Sequence, residues 1–511
     1  MFDYVRRLAA TGAAYTASSV ISKLFAVALL PVYTRHLTRA DYGAAEVLLS
    51  TVVALSIFFR LGIIEALLRF YYRFDDRVDR VNVARTSVGF LLWSTTAGAL
   101  VVAAFAGPLS ELLLGHRDTE LMLIAVGGLW IFTNYELMMA LFRLDERARD
   151  YFTASLVNVL LTIALTVWLV VGRDEGAKGL LLGNFGASAI VLAGLFYVHR
   201  NLVALVPSGD FLRPMLRFGL PTMPAEISLY ALNFIDRIAL VHYVGLAEAG
   251  LYSLAVKFSQ VVTVVVRAFN LAWPPLAYSI RDDDEARRAY SVIVTYYLLV
   301  AFTIVLALSL EARWVVRLLA APAFFDSYKA IPLVSTGVTL YALFLVLSVA
   351  VGRVGRTEYN FPVTAAAAGV NLLLNVLLVP SLKLVGAGLA LVGAYVVMLA
   401  LMYAVTQRVF PLPLEWARIL RIVGLAGAVF AFGELVLPTS GAVGFLARAA
   451  LVPLFGALLY ASGFLHQGEV RRLRLLVERV RRRSVERSAE SPEDLEALRS
   501  RADLMDEVHE A

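Results

Sequence analysis

Fourteen long apolar stretches divide this chain of 511 residues. Each has about 20 residues or more, the length at which an α-helix crosses the hydrocarbon core of a bilayer. Charged residues make up 17% of the chain, whereas soluble domains carry about 25%. We predict an all-α polytopic membrane protein. The predicted spans lie at about 12–33, 43–68, 86–114, 121–142, 152–172, 178–198, 216–242, 249–272, 290–310, 331–351, 361–381, 384–406, 419–437 and 442–465.

The composition excludes several classes of chemistry. The chain contains no cysteine, which rules out disulfides, thiolate catalysis and cysteine-ligated metals. Its six histidines show no metal-ligand spacing and no phosphate-binding loop is present, so we expect no cofactor, no metal and no ATP hydrolysis. The net charge is +6, but most lysines and arginines lie in short loops between apolar runs. This distribution indicates membrane lipid, not nucleic acid, as a partner.

Loop charge predicts the orientation of the chain. The loops on the side of the N-terminus carry more lysine and arginine than the opposite loops, with five arginines between residues 69 and 85. Cytoplasmic loops are enriched in these residues, so both termini are predicted to be cytoplasmic. The first run is interpreted as a span, not a cleaved signal. A basic amphipathic stretch at 468–488 is predicted either to lie on anionic headgroups or to be a solvated helix, followed by an acidic tail.

An internal repeat organises the sequence. The segment 37–43 resembles 244–250 at an offset of 207 residues, and the same offset places Arg60 on Arg267. Asn158 in the fifth span similarly resembles Asn371 in the eleventh. Two parallel six-helix units of this kind can rock around a central cavity. The predicted divisions are an N-terminal lobe at 1–206, a C-terminal lobe at 207–410, two extra helices at 411–466, and the basic helix and acidic tail at 467–511.

Two short signatures lie at related places in the two halves. One runs from Pro31 to Gly43, and the other joins Asp236 and Arg237 to the segment 250–252. Over about residues 1–410 the chain resembles the Wzx-type polysaccharide-transport flippases of the multidrug/oligosaccharidyl-lipid/polysaccharide exporter superfamily. The count of fourteen predicted spans agrees with many of these flippases better than with the drug extruders, which have twelve helices.

This resemblance implies a flippase of the bacterial inner membrane. It would move an undecaprenyl-diphosphate-linked oligosaccharide from the cytoplasmic to the periplasmic leaflet by alternating access, for O-antigen, capsule or exopolysaccharide assembly. We therefore expect a transporter with no catalytic residue, not an enzyme. We also expect a monomer, with a polysaccharide polymerase as a candidate partner. The sequence leaves the sugar and the polymer open.

Ionisable residues within the spans are the natural candidates for substrate contact, because such residues are costly in lipid and usually face the bundle interior. A diphosphate requires cations, with lysine as a point charge and arginine as a two-pronged donor. The alternative for Arg60 and Arg267 is that their long side chains reach the membrane surface. The candidate substrate-binding residues are Lys23, Arg60, Arg237, Lys257, Gln260 and Arg267.

Acidic residues of the seventh span are candidates for ion coupling. Asp236 and Glu226 are predicted to form a proton or sodium coupling site. Adjacent positions on a helix point in different directions, so Asp236 and Arg237 are not expected to pair. Arg237 is predicted either to bind substrate or to pair with a carboxylate such as Glu226. Pro221 and Pro224 predict a bend in this span. Interhelical hydrogen bonds are predicted for Asn158, Asn371 and Asn375.

Three other functions remain open from the sequence. A lipid II flippase would share the fold and the diphosphate headgroup, and a cation-coupled multidrug extruder would rely on carboxylates. A membrane glycosyltransferase or ligase would need a long outer loop with acidic catalytic residues. The longest outer loops, at about 111–121 and 311–330, are short and show no carboxylate–metal pattern. The cationic candidates favour an anionic substrate over a drug.

Overall fold

The computed structural model of the protein describes residues 25 and 27–464, without the side chains of residues 265, 267, 268, 271 and 272. This part of the chain is helical and contains no strand. Helices satisfy their backbone hydrogen bonds internally, as a bilayer requires. Within this range ten helices are long and apolar enough to cross a membrane. Lys23, most of the first predicted span, the stretch at 468–488 and the acidic tail lie outside the described residues.

The helices form two lobes and a C-terminal appendix. The N-lobe contains α1 (Leu30–His36), α2 (Arg39–Arg60), α3 (Ile63–Tyr71), α4 (Arg77–Ala104), α5 (Ala106–Leu114), α6 (Thr119–Leu144), α7 (Ala148–Val167) and α8 (Gly176–Val198). The linker helix α9 (Gly209–Gly219) leads into the C-lobe. The C-lobe contains α10 (Met223–Tyr243), α11 (Leu246–Ser279), α12 (Asp283–Leu310), α13 (Ala312–Leu319), α14 (Ile331–Arg353) and α15 (Asn360–Val409). The appendix contains α16 (Trp416–Val436), α17 (Gly441–Ala449) and α18 (Leu451–Ala461).

This arrangement confirms the predicted fold class. Every predicted span from the second onward falls on helix, and several spans are built from two pieces. The helix α15 carries both the eleventh and the twelfth span, because Lys383 breaks it with φ 49° and ψ −126°. The ten apolar helices count α15 once and do not include α10, α11 or the first predicted span, so they are consistent with about fourteen spans. The exact domain boundaries stay predictions.

The second predicted span is broken, not continuous. Leu61 and Gly62 both have left-handed backbone conformations, with φ 49° and 69°, and they separate α2 from α3. A Cβ built on Gly62 would overlap the backbone of Gly219, and the converse also holds. The break in the N-lobe therefore packs backbone to backbone against the end of α9, which only glycine allows. A 3₁₀ turn at Leu220–Thr222 supplies the predicted bend before α10.

The start of α2 shows what the first signature does structurally. The hydroxyl of Thr38 accepts a hydrogen bond from the backbone N–H of Asp41 at 3.1 Å. The Asp41 carboxylate accepts one from the backbone N–H of Thr38 at 3.2 Å. This reciprocal pair is a capping box, which fixes the first turn of a helix. The signature therefore sets where α2 begins.

The two lobes meet through a reciprocal glycine contact. A Cβ on Gly43 would overlap the carbonyl oxygen of Leu246, and one on Gly250 would overlap that of Arg39. Gly43 and Gly250 are 207 residues apart, as are Arg39 and Leu246. Contacts in which residue i meets j and j meets i are those expected when two related units meet about a two-fold axis. The contact therefore supports the predicted repeat.

Helix packing places α2 at the centre of the molecule. In the N-lobe α8 packs against α6 and α7, and in the C-lobe α15 packs against α10 and α14. The helix α2 contacts both α10 and α11 across the lobe boundary. One hydrophobic cluster continues from the N-lobe through the C-lobe into the appendix. Polar residues carried by α2 therefore lie where the lobes meet.

Buried charges attach the appendix to the C-lobe. Arg448 is fully buried and forms an ion pair with Glu434, which also lies 2.7 Å from Arg313. Breaking such a buried cluster on one side is costly. Beside it, the Glu311 carboxylate is shielded from solvent without a hydrogen-bond partner among the described residues. Burial raises the pKa of Glu311 to about 7, an effect that Arg448 opposes.

Candidate functional site

Three adjoining cavities lie between and within the lobes. The inter-lobe chamber, of about 390 Å³, is lined by residues of both lobes that include Glu46 and Lys257. The N-lobe chamber, of about 510 Å³, includes Arg60, Asn158 and Asn184 in its wall. A connecting chamber of about 260 Å³ shares Glu46 and Lys257 with the first and both asparagines with the second. The three cavities therefore follow one another through the centre of the molecule.

An ion pair crosses the lobe boundary in the inter-lobe chamber. The Nζ of Lys257 lies 2.9 Å from Oε1 of Glu46, which joins α11 to α2. Glu46 is only 5% exposed, so the pair is screened less than one at a protein surface. Gln260, one turn further along α11, lines the same chamber. The structure thus places two of the candidate substrate contacts on one wall.

Arg60 forms a second connection between the lobes. Its Nη1 lies 3.2 Å from Oε2 of Glu136 on α6, and its Nη2 forms an ion pair with Glu226 on α10. The side chain is 13% exposed. Arg60 and Glu46 are 14 positions apart on α2, which corresponds to about 21 Å along a helix. Ion pairs therefore hold α2 to the C-lobe at two well-separated levels.

Arg237 does not pair with Glu226, so the alternative that offered this carboxylate as its partner is wrong. The Nε of Arg237 donates to Oγ of Ser253 at 3.0 Å, and its Nη1 donates to the carbonyl of Asn233 at 3.0 Å. Glu226 lies beside Arg60 instead. Arg237 is 7% exposed and lines the inter-lobe chamber. Its charge therefore faces the chamber without a carboxylate in direct contact among the described residues.

Asp236 is the centre of a buried network in the C-lobe. Its Oδ1 accepts hydrogen bonds from Nδ2 of Asn371 at 3.0 Å and of Asn375 at 2.8 Å. Its Oδ2 accepts one from the hydroxyl of Tyr252 at 2.6 Å. All four side chains are buried, and Asp236 forms no ion pair with the adjacent Arg237. The interhelical hydrogen bonds predicted for both asparagines are confirmed.

This network retains unused acceptors. The Oδ1 atoms of Asn371 and Asn375 are buried without a hydrogen-bond partner among the described residues. Such orphaned acceptors are uncommon in folded proteins. Together with the Asp236 carboxylate they offer oxygen atoms that suit a proton or a small cation. No group of three or more acidic or histidine residues suited to a metal ion occurs in the described part of the chain.

Most of the N-lobe chamber was not predicted from the sequence. Glu65 and Glu136 line it and lie within predicted spans, so the rule that identified Lys257 applies to both. Tyr135 and Asn184 also line it, but aromatic and amide residues in spans carry no comparable signal. The predicted interhelical bond of Asn158 is confirmed by the Ser188 hydroxyl, which donates to its Oδ1 at 3.3 Å.

Two candidate residues cannot be placed at the site. Lys23 lies outside the described residues, and Arg267 lies on α11 without a described side chain. Both stay predictions. The other six candidates fall into three groups. Arg237, Lys257 and Gln260 line the inter-lobe chamber. Arg60 and Glu226 form an ion pair between the lobes, and Asp236 is a buried carboxylate.

Comparison with known proteins supports a family assignment. The profile of the polysaccharide biosynthesis protein family matches residues 8–281, more than half of the chain. Succinoglycan biosynthesis transport protein ExoT of Rhizobium meliloti (strain 1021) is 24% identical over 277 residues, 53% of this chain and 55% of ExoT. The alignment thus spans about half the length of that relative. The uncharacterized membrane protein MJ1068 of Methanocaldococcus jannaschii is 18% identical over 392 residues, 72% of this chain and 77% of MJ1068.

Solved structures agree on the fold. The lipid II flippase MurJ, in an inward closed conformation, matches with a TM-score of 0.71 and 11% identity over 89% of this chain and 99% of MurJ. An inward-facing MATE transporter of the MOP superfamily matches with a TM-score of 0.61 and 16% identity over 76% of this chain and 95% of that protein. The predicted resemblance is confirmed. The chain belongs to the polysaccharide biosynthesis protein family, and the apolar helices of its described residues are those of a multi-pass membrane protein.

Proposed function

We propose that this protein is a transporter, a flippase for an undecaprenyl-diphosphate-linked oligosaccharide, which it carries from the cytoplasmic to the periplasmic leaflet of the inner membrane. The observation that carries the proposal is the charge of the inter-lobe chamber. Among the described residues, Arg237 and Lys257 line it against a single carboxylate, Glu46. A diphosphate headgroup requires cations in a polar cavity, while its polyprenyl tail can remain in lipid.

Related proteins support a lipid-linked sugar as the substrate. The family is one of polysaccharide biosynthesis, and the partial relative ExoT is a transport protein of succinoglycan biosynthesis. MurJ is a flippase of lipid II, another diphosphate-linked glycan. The cationic chamber is consistent with all three. The positive charge of this chamber would repel the cationic drugs that a multidrug extruder carries.

The geometry suggests how a diphosphate enters. Lys257 is occupied by Glu46 in this structure, so the incoming phosphate oxygens would replace that carboxylate. Release of the ion pair between Lys257 and Glu46, or of the one between Arg60 and Glu226, would loosen the contact between the lobes on one side of the membrane. Alternation between the two levels would give alternating access. Arg60 would contact substrate only after leaving one of its carboxylates.

Ion coupling is the second part of the proposal. We assign it to Asp236, because this carboxylate is buried without an ion pair and lies beside unused amide oxygens. Glu226 is engaged with Arg60 and serves that contact. The test is flipping driven by a proton or sodium gradient in proteoliposomes. Asp236→Asn should abolish the response to the gradient, whereas Glu226→Gln should retain it. The reverse result would move coupling to Glu226.

The proposed substrate is tested in the native host. We would delete the protein and quantify undecaprenyl-linked glycans by headgroup mass and by membrane leaflet, with plasmid-borne wild type and Lys257→Gln for comparison. The proposal predicts that one diphosphate-linked oligosaccharide accumulates in the cytoplasmic leaflet and that a surface polymer is lost. Plasmid-borne wild type should reverse the accumulation and restore the surface polymer, and Lys257→Gln should do neither.

Two outcomes would replace the proposal. Accumulation of lipid II would identify a peptidoglycan-precursor flippase. Unchanged lipid-linked glycans together with increased sensitivity to cationic drugs would identify a multidrug extruder. Either outcome also shows which chemistry the inter-lobe chamber serves.

A further inference from the structure

The N-lobe chamber and the inter-lobe chamber differ in the sign of their charge. Among the described residues, the ionisable lining of the N-lobe chamber has three carboxylates and two guanidinium groups, whereas the inter-lobe chamber has two cations and one carboxylate. Excess negative charge repels a diphosphate. The residues of the N-lobe set are Arg60, Glu65, Glu136, Arg143 and Glu226. The larger chamber is therefore unsuited to the headgroup's phosphates.

Neutral polar and aromatic groups fill the rest of its wall. Tyr135 and Tyr151 line the chamber together with Asn158 and Asn184. The Tyr135 hydroxyl interacts with the Asn158 side chain. Aromatic rings present flat apolar faces that pack against the C–H faces of a sugar ring. The amide and hydroxyl groups can donate to and accept from sugar hydroxyls.

Some of these polar groups have spare hydrogen-bonding capacity. The side chain of Asn184 makes no hydrogen bond to another described residue, and it lines both the N-lobe chamber and the connecting chamber. The Oε2 of Glu65 is buried without a hydrogen-bond partner in the described part of the chain. A buried acceptor without a partner is costly. A ligand hydroxyl at this position would remove that cost.

We propose that the N-lobe chamber binds the sugar of the lipid-linked substrate, while the inter-lobe chamber binds its diphosphate. This inference rests on the proposed function. The connecting chamber touches Lys257 at one end and Asn158 and Asn184 at the other, so one headgroup can extend from the cation to the amides. A volume of about 510 Å³ lies within the range of about 300–1,000 Å³ for small-molecule sites.

The division separates general from specific recognition. The diphosphate is common to all undecaprenyl-diphosphate-linked glycans, so Lys257 recognises a feature that does not distinguish among them. Hydrogen-bonding groups that a wrong sugar would leave unpaired discriminate strongly. Asn184, Glu65 and the two tyrosines therefore determine which sugar is accepted.

The test compares two lipid probes on purified protein in nanodiscs. One is undecaprenyl diphosphate, which has no sugar, and the other is the undecaprenyl-diphosphate-linked oligosaccharide extracted from the deletion host. The variants are Asn184→Ala and Tyr151→Leu in the chamber and Lys257→Gln at the lobe boundary. Thr153→Ala is the matched control, because Thr153 lies on the exposed side of α7 and bonds to the carbonyl of Arg149.

The expected result is a selective loss. Each chamber variant should bind the sugar-bearing lipid about tenfold more weakly, equivalent to about 1.4 kcal/mol, and bind undecaprenyl diphosphate as wild type does. Unchanged binding of the sugarless lipid also shows that the variant is folded. Lys257→Gln should weaken both probes, and Thr153→Ala neither.

Two results would overturn the inference, and they are distinguishable. Equal weakening of both probes by the chamber variants, or no weakening of either, would refute a sugar site in the N-lobe while leaving the proposed function intact. Failure of the wild-type protein to bind either probe would refute the proposed function itself. Selective loss of the sugar-bearing probe supports both.

Discussion

Asn158 in the N-lobe and Asn371 in the C-lobe occupy related places in the proposed repeat, but their surroundings differ. Asn371 is fully buried and donates to the carboxylate of Asp236. Asn158 lines two open chambers and accepts a hydrogen bond from Ser188. The same residue type on the same framework is structural in one lobe and available for contact in the other.

The difference traces to one charged position. At the offset of 207 residues, Asp236 corresponds to Leu29, which lines the connecting chamber. The N-lobe has no carboxylate at this position, and its amide side chains face a cavity. In the C-lobe, the amides of Asn371 and Asn375 donate hydrogen bonds to the Asp236 carboxylate. A duplicated framework therefore becomes asymmetric through the placement of a few polar side chains, and the N-lobe gains space for a ligand.

The largest expected effect tests the C-lobe network. Asp236→Ala would leave the donors of Asn371, Asn375 and Tyr252 buried without their acceptor, at about 1–3 kcal/mol each before relaxation. We expect a loss of about 3–5 kcal/mol, comparable with breaking a buried ion pair. Thermal unfolding of the purified protein in detergent measures it. Asn158→Ala is the N-lobe control and should cost less than about 1 kcal/mol, because water can replace its contacts. Equal losses would remove the contrast between the lobes.

The next effect tests whether the lobes meet symmetrically. Gly43→Ala and Gly250→Ala each place a methyl group against the carbonyl of the other lobe. Overpacking of this kind costs about 1–3 kcal/mol, and the reciprocal contact predicts similar losses for the two variants. Gly127→Ala serves as the control, since no neighbouring group lies within 4 Å of the position that its added methyl group would take. Thermal stability that falls for one variant and not the other would contradict the two-fold contact.

The ion pair between Arg60 and Glu226 gives a smaller effect on stability. Glu226→Gln should cost about 1 kcal/mol, and Arg60→Gln more, because it leaves both Glu136 and Glu226 without their cation. A double-mutant cycle on unfolding should give a coupling energy of about 0.5–2 kcal/mol between Arg60 and Glu226. Additive losses would show that the pair contributes nothing to holding the lobes together.

The smallest effect concerns the pH dependence of stability at Glu311, where the C-lobe meets the appendix. The pKa of Glu311 is raised from 4.5 to about 7, so the folded state binds this proton more tightly than the unfolded state. Stability should therefore fall as pH rises from about 4.5 to about 7 and level off above it. Glu311→Gln should flatten this part of the profile. Superimposable profiles of variant and wild type would show that Glu311 does not titrate in this range.

Much of the fold could be predicted from the sequence because the bilayer constrains it. Length and apolarity define the spans, and the reciprocal contact of Gly43 with Gly250 supports the repeat read from residue offsets. The break at Leu61–Gly62 could not be predicted, because glycine is common in membrane helices. Its cause is the close approach of Gly219 from a distant part of the chain.

The candidate site was predictable in its residues but not in their partners. The presence of ionisable residues within predicted spans identified Lys257 and Asp236, because the cost of such residues in lipid is independent of their neighbours. Which charges meet depends on how helices pack, so the sequence offered Glu226 only as one alternative partner for Arg237, and Glu226 lies beside Arg60 instead. The N-lobe chamber could not be predicted as a whole, because its tyrosines and amides have no sequence pattern of their own.

The most direct test of the account is flipping by the purified protein in proteoliposomes. The probe is the undecaprenyl-diphosphate-linked oligosaccharide from the deletion host, and its exposure is followed with a membrane-impermeant glycosidase. Wild type and Lys329→Gln, a control at a half-exposed lysine away from the chambers, should flip it. Lys257→Gln should be slower by about tenfold or more, which corresponds to about 1.4 kcal/mol. Flipping by Lys257→Gln at the wild-type rate would contradict the account, as would wild type that moves no glycan.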